Sequence, residues 1–137
     1  MDITNIGIKI TLFISFIICN ETNESIPCKN FKTGQFEINF ENSDFKYSLT
    51  RNAETQVEIN PDGNKVYYSI EWLDDCKYLA KFDSNKMALN EEMKLINSDG
   101  GIIVELENLI DEKCISYTSY VKNHKDISIR KGTFCKK

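Results

Sequence analysis

The chain has 137 residues, with 17 basic against 21 acidic side chains, a net charge of -4 and a hydrophobic fraction of 41%. That is enough for one domain with its own core. It carries no basic stripe of the kind that nucleic acid or anionic lipid requires, so nucleic-acid partners are excluded and contact with a membrane is expected only through a covalent anchor.

From the N-terminus, Ile6 to Cys19 is almost wholly apolar, interrupted by Lys9, Thr11 and Ser15. The run is shorter than the ~20 residues that cross a bilayer as a helix and has the length of the apolar region of an export signal. Residues 1–19 are therefore read as a signal. Cys19 falls where a bacterial lipoprotein carries its acylated cysteine. The chain is expected in the cell envelope, anchored through Cys19, or free outside the cell. Residues 20–30 read as a polar tether. It carries sequons at Asn20 and Asn23, which matter only in a eukaryotic source. Residues 31–137 are the domain.

Alternation with period two then dominates. Phe36, Ile38 and Phe40 alternate with Glu37 and Asn39; Phe45, Tyr47 and Leu49 with Lys46 and Ser48; Val57 and Ile59 with Gln56 and Glu58. Asn60-Pro61-Asp62-Gly63-Asn64 is a turn, with proline presetting φ and glycine accepting a positive one. Val66, Tyr68, Ile70 and Trp72 give the clearest half-buried strand. Tyr78, Ala80 and Phe82 follow. Ser84 to Leu95 is helix-like, capped by Ser84 or Asn85 and stopped by Gly100-Gly101. Ile102, Val104 and Leu106 give another strand. Cys114–Val121 and Ile127–Cys135 form a last hairpin about the turn Asn123-His124-Lys125-Asp126. Eight such strands joined mostly by short turns predict an all-β, antiparallel up-and-down barrel with one short helix. A β-sandwich is the alternative architecture.

Setting Cys19 aside leaves four cysteines, an even number in an oxidising compartment. If the last turn is symmetric, Cys114 lies directly opposite Cys135, close enough for a disulfide. The remaining pair is then Cys28 with Cys76. No C-x-x-C occurs, and one histidine cannot complete a zinc site of ordinary spacing.

No catalytic constellation emerges. His124 lies in a predicted turn, whereas a Ser-His-Asp base needs a packed site. Asp74-Asp75 and Glu91-Glu92 are neighbours in sequence rather than carboxylates facing across a cleft. Asp62-Gly63 and Asp99-Gly100 lack the spaced oxygens of a calcium loop. No metal or cofactor is expected, and the chain is read as a non-enzyme. What remains is aromatic content: 8 phenylalanines, 6 tyrosines and 1 tryptophan. In a barrel these either fill the interior or line a cavity for one small ligand. Phe36, Tyr68, Trp72 and Arg130 are the candidates for that lining.

The stretch Cys28-Lys29-Asn30-Phe31-Lys32-Thr33-Gly34-Gln35-Phe36, Arg51-Asn52 with Gln56 and Glu58, Glu71-Trp72 before Asp75-Cys76, and Glu92-Met93-Lys94 together resemble a group of small exported, lipoprotein-like proteins of unknown function from Gram-negative bacteria. Members sometimes carry a DNA topoisomerase IV label, and nothing in this short acidic chain fits that activity. Gly34-Gln35-Phe36 is also similar to the Gly-x-Trp of the calycins, the lipocalin-like barrels. That resemblance implies a basic residue of the last strand, Arg130, packed over Phe36 as a cation–π partner; a core phenylalanine with a solvent-facing arginine is the other reading. The expected function is an exported binding module for a small apolar or amphipathic ligand. The alternative is an envelope protein with a filled barrel that meets another envelope protein through its outer face.

Overall fold

A computed structural model describes residues 27–137. The signal segment 1–19, the acylation candidate Cys19, and the sequons at Asn20 and Asn23 lie outside the described residues. Eight strands run in chain order: Gly34–Phe40 (β1), Lys46–Arg51 (β2), Thr55–Ile59 (β3), Lys65–Asp74 (β4), Lys77–Phe82 (β5), Ile102–Leu109 (β6), Cys114–Val121 (β7) and Arg130–Lys136 (β8). Each pairs antiparallel with the next, and β8 returns to β1 to close the barrel. This is the up-and-down barrel that the alternation predicts, and it sets the sandwich aside. Closure leaves no unpaired strand edge.

The period-two pattern explains most of the interior. Phe36 and Ile38 of β1, Leu49 of β2, Tyr68 and Ile70 of β4, Tyr78 and Ala80 of β5, Val104 and Leu106 of β6, Ile115 and Tyr117 of β7 and Phe134 of β8 are all buried in one cluster. β3 breaks the pattern. Its apolar residues, Val57 and Ile59, share the outer face, while Gln56 and Glu58 share the inner one: Gln56 lies opposite Arg51 and Tyr68, and Glu58 opposite Leu49 and Val66. The turn before the strand sets this register. Asn52 Oδ1 accepts from the backbone N–H of Glu54 and Thr55, and the Asn52 N–H donates to the Thr55 carbonyl. A slip of one residue would return the valine to the interior and would also take Gln56 away from Arg51.

Gly132 of β8 stands where a side chain has no room. A Cβ there would run into the Asn39 carbonyl oxygen and come within 2.8 Å of the Tyr117 hydroxyl. Tyr117, its cross-strand partner, spreads its ring in the space the missing side chain leaves.

Both disulfides form as the sequence predicts, Cys114–Cys135 and Cys28–Cys76. The β7–β8 register pairs Cys114 with Cys135 and runs without slip to Ser119 opposite Arg130. The second bridge ties the chain entering the barrel to the β4–β5 turn. Cys28–Phe31 is a short 3-10 turn in which Cys28 and Phe31 are fully buried. Residues 28–30, placed in the tether by the sequence, therefore belong to the packed domain.

Two boundaries differ from expectation. The helix is Glu91–Ser98 (α1), not Ser84 to Leu95, and its cap is Asn90, whose side chain accepts from the Met93 N–H, rather than Ser84 or Asn85. Asp83 takes the preceding segment into a separate turn, accepting from the N–H groups of Asn85, Lys86 and Met87, so the helix cannot begin there. Gly100 and Gly101 do end it, both at positive φ, with the Gly101 N–H donating to the Ile96 carbonyl. β8 begins at Arg130 rather than Ile127. Ser128 Oγ takes the Val121 N–H and donates to the His124 carbonyl. This ends the ladder and makes Lys125–Ser128 a single helical turn (α2) with Ile127 exposed.

Candidate functional site

The barrel has two unlike ends. The end where β1 begins and β2 finishes is plugged. Phe31 from the 3-10 turn covers it, its ring 6.1 Å from that of Phe36. Beneath lies Arg51, 2% exposed. Its guanidinium donates to the Phe31 carbonyl (2.8 Å), Gln56 Oε1 (2.9 Å) and the Tyr78 hydroxyl (2.9 Å). Aromatic rings surround it, with centroids at 4.7 Å for Tyr78, 4.8 Å for Phe134, 5.3 Å for Phe36 and 5.8 Å for Trp72. Burial lowers the pKa of Arg51 from its ordinary value, and the nearby Tyr78 and Glu58 oppose that shift. A guanidinium still keeps its proton.

The cation over Phe36 is thus Arg51 of β2. Arg130 lies at the other end of the barrel, exposed to solvent; the cation–π role that the calycin resemblance implied for it belongs to Arg51. The signal was in the sequence, because Arg51 continues the Tyr47, Leu49 alternation that points inward.

The opposite half of the interior is hollow. A cavity of about 250 Å³ runs from Phe40, Ile102, Ser119 and Arg130 near the mouth down to Gln56, Tyr78 and Phe134. Its walls include Ile38, Ala80 and Val104, with Glu58, Tyr68 and Tyr117 as polar groups. Glu58 Oε1 accepts from Gln56 Nε2 (3.0 Å), and Oε2 accepts from the Tyr68 hydroxyl (3.3 Å). Gln56 links the two ends, because its Oε1 accepts from both Arg51 and Tyr78 while its amide donates to Glu58. Arg51 and Glu58 form no direct ion pair among the described residues; Gln56 stands between them.

Burial raises the Glu58 pKa above the ordinary carboxylate range, and the bonds from Tyr68 and Gln56 and the charge of Arg51 only partly oppose this. The tyrosines around it shift upward as well. Burial and the Glu58 charge raise Tyr68 and Tyr117, and burial pushes Tyr78 up to about 12. All three therefore stay neutral hydrogen-bonding groups at physiological pH.

Of the four lining candidates, Tyr68 and Arg130 line the cavity. Phe36 and Trp72 do not; both belong to the plugged end, where the Trp72 ring lies 4.8 Å from that of Tyr78 and its indole N–H is buried without an acceptor. Glu58 and Gln56 are cavity residues with no warning in the sequence, because the alternation of β3 points the other way. His124 lies between the two helical segments, its Nε2 3.0 Å from Asp99 Oδ2. Asn97 holds α1 to β5 through two bonds with the Phe82 backbone. Between α1 and α2 a groove of about 560 Å³ includes Leu95, Tyr120 and Ile127 and meets the cavity at Ile102 and Arg130. It is larger than the cavity but lies outside the barrel wall, and it lacks a buried ionisable group. Among the described residues no three His, Cys, Asp or Glu side chains cluster as a metal site, and no helix is long and apolar enough to cross a membrane.

No family model, no curated protein and no solved structure matches the chain.

Proposed function

We propose that this is an exported or lipid-anchored, non-enzymatic binding module whose barrel takes one small amphipathic ligand. The observation that carries this reading is the interior cavity, in which Gln56, Glu58, Ser119, Arg130 and the tyrosine hydroxyls stand among aliphatic and aromatic side chains. Small-molecule sites have this composition: an apolar enclosure with a few polar groups that fix orientation. Export is supported by the apolar run Ile6 to Cys19 and by four cysteines joined in two disulfides, which suit an oxidising compartment.

The test uses the folded full-length chain and an uncharged apolar probe, indole. Indole should bind saturably and shift the NMR signals of Ile38, Val104 and Tyr117, and Ala80→Leu, which fills the cavity, should abolish both effects. Signals at those residues unmoved by indole at millimolar concentration, or binding unaffected by Ala80→Leu, overturn the reading. Cys19→Ser tests anchoring separately: it releases an acylated protein from membranes and leaves a secreted one unchanged.

One observation favours the other reading, a docking surface for an envelope protein. Leu95 and Ile127 flank the groove between α1 and α2 with 60% and 85% of their surface exposed. Leu95→Ser with Ile127→Ser would abolish capture of such a partner and leave indole binding intact.

A further inference from the structure

We infer that the ligand of the interior cavity is a small primary amine, bound through its ammonium group by Glu58. This inference rests on the binding reading above. Glu58 is the one carboxylate among the residues lining the cavity. Each of its oxygens accepts a single bond, one from Gln56 and a longer one from Tyr68. A carboxylate has about four acceptor positions, so half of its capacity is unspent. Arg51 does not reach it: the three hydrogen bonds of its guanidinium go to Phe31, Gln56 and Tyr78, and Gln56 stands between the two groups. Glu58 therefore faces the cavity without a cationic partner.

A carboxyl withdrawn from water is pushed toward its neutral form unless a cation pairs with it. An ammonium supplies three donors and the opposite charge in one compact group. The wall suits a cation too, since Tyr68, Tyr117 and Phe134 line the same cavity and aromatic faces attract cations most strongly in desolvated sites. An anion would meet Glu58 as a like charge. An apolar ligand would fill the volume without engaging the carboxyl group and so bind less tightly than an amine.

Size and orientation follow. A volume of about 250 Å³ corresponds to roughly eight waters at ~30 Å³ each, which limits the ligand to about ten non-hydrogen atoms. Arg130 at the mouth is open to solvent, and its charge is screened there. It leaves the ammonium to enter first and holds any acidic group of the ligand at the rim.

Calorimetry on the full-length protein with 2-phenylethylamine, 2-phenylethanol and phenylacetate tests this, because the three share a ring and differ in the head group. The amine should bind at least about tenfold more tightly than either relative, as expected for a charge-assisted bond against a neutral or repelled group. Glu58→Gln should remove that advantage, bringing the affinity for the amine to that for the alcohol. Equal affinity for amine and alcohol, tighter binding of phenylacetate, or an undiminished advantage of the amine in Glu58→Gln overturns the inference. If Glu58→Gln fails to fold, the ranking on the parent protein decides. Indole that binds while the amine gains nothing over the alcohol overturns the amine and leaves the binding module standing; a cavity that takes none of the probes overturns both.

Discussion

At the plugged end, Arg51 is held by three hydrogen bonds and four aromatic rings, and Phe31 covers it. At the hollow end, Glu58 accepts two bonds and faces open volume. The same barrel thus contains a fully buried cation enclosed by the fold and a half-buried carboxyl group that faces open volume. Gln56 passes polarity from one to the other without bringing them together. Buried ions persist where they are hydrogen-bonded, so the enclosed Arg51 reads as structure, while Glu58 is the group on which the proposed binding reading rests. The neighbourhoods agree. The plugged end is cross-linked by Cys28–Cys76, whereas the mouth is bordered by α1, α2 and their exposed side chains.

The contrast can be broken most severely at Arg51. Arg51→Met should lower stability by about 3–5 kcal/mol, the range for removing one partner from a buried charged network, read as the shift of the urea midpoint. Loss of less than 1 kcal/mol would show that the aromatic packing alone holds the plugged end. Next comes the bridge that holds the plug. Cys28→Ser with Cys76→Ser opens a loop spanning a sequence separation of 48, which chain entropy values at about 4 kcal/mol; the separation of 21 between Cys114 and Cys135 gives about 3. Amide exchange should quicken around Phe31 before it does at the mouth.

Volume separates the ends more finely. Ile115→Phe adds bulk where Ile115 is fully buried and should cost about 1–3 kcal/mol by overpacking. Ala80→Leu adds bulk toward the cavity and should leave the thermal midpoint nearly unchanged. Equal losses from the two would mean that the cavity is not free space.

The ends also differ in their response to pH. Burial holds the Glu58 carboxyl above its ordinary value, and the bonds from Tyr68 and Gln56 and the charge of Arg51 oppose it. The folded chain therefore keeps this proton at pH values where the unfolded chain has lost it. The stability from this group is fully present below the unfolded pKa and is lost as pH rises through the folded one. Glu58→Gln lacks that loss, so the difference between variant and parent should move in the variant's favour as pH rises from 4 to 8. A difference constant across that range would show that Glu58 titrates normally.

The order of strands, the closed barrel and both disulfides follow from sequence, because each rests on a local period or a local turn. Alternation fixes where each strand lies. A symmetric hairpin puts Cys114 opposite Cys135, and elimination then leaves Cys28 with Cys76. Tertiary structure decided whatever depends on competition between segments. The Asn52 turn sets β3 so that Gln56 and Glu58 point inward against the apparent preference of Val57 and Ile59, since the Arg51 bond outweighs two outward aliphatics on a partly covered surface. Asp83 and Ser128 divert their neighbours into turns and so move the start of α1 to Glu91 and that of β8 to Arg130. Arg51 rather than Arg130 meets Phe36, because β2 ends at the plugged end with Arg51, whereas β8 begins at the mouth with Arg130. Such choices lie between residues distant in sequence or between rival side-chain bonds to one backbone group, and no periodicity within a single strand records them.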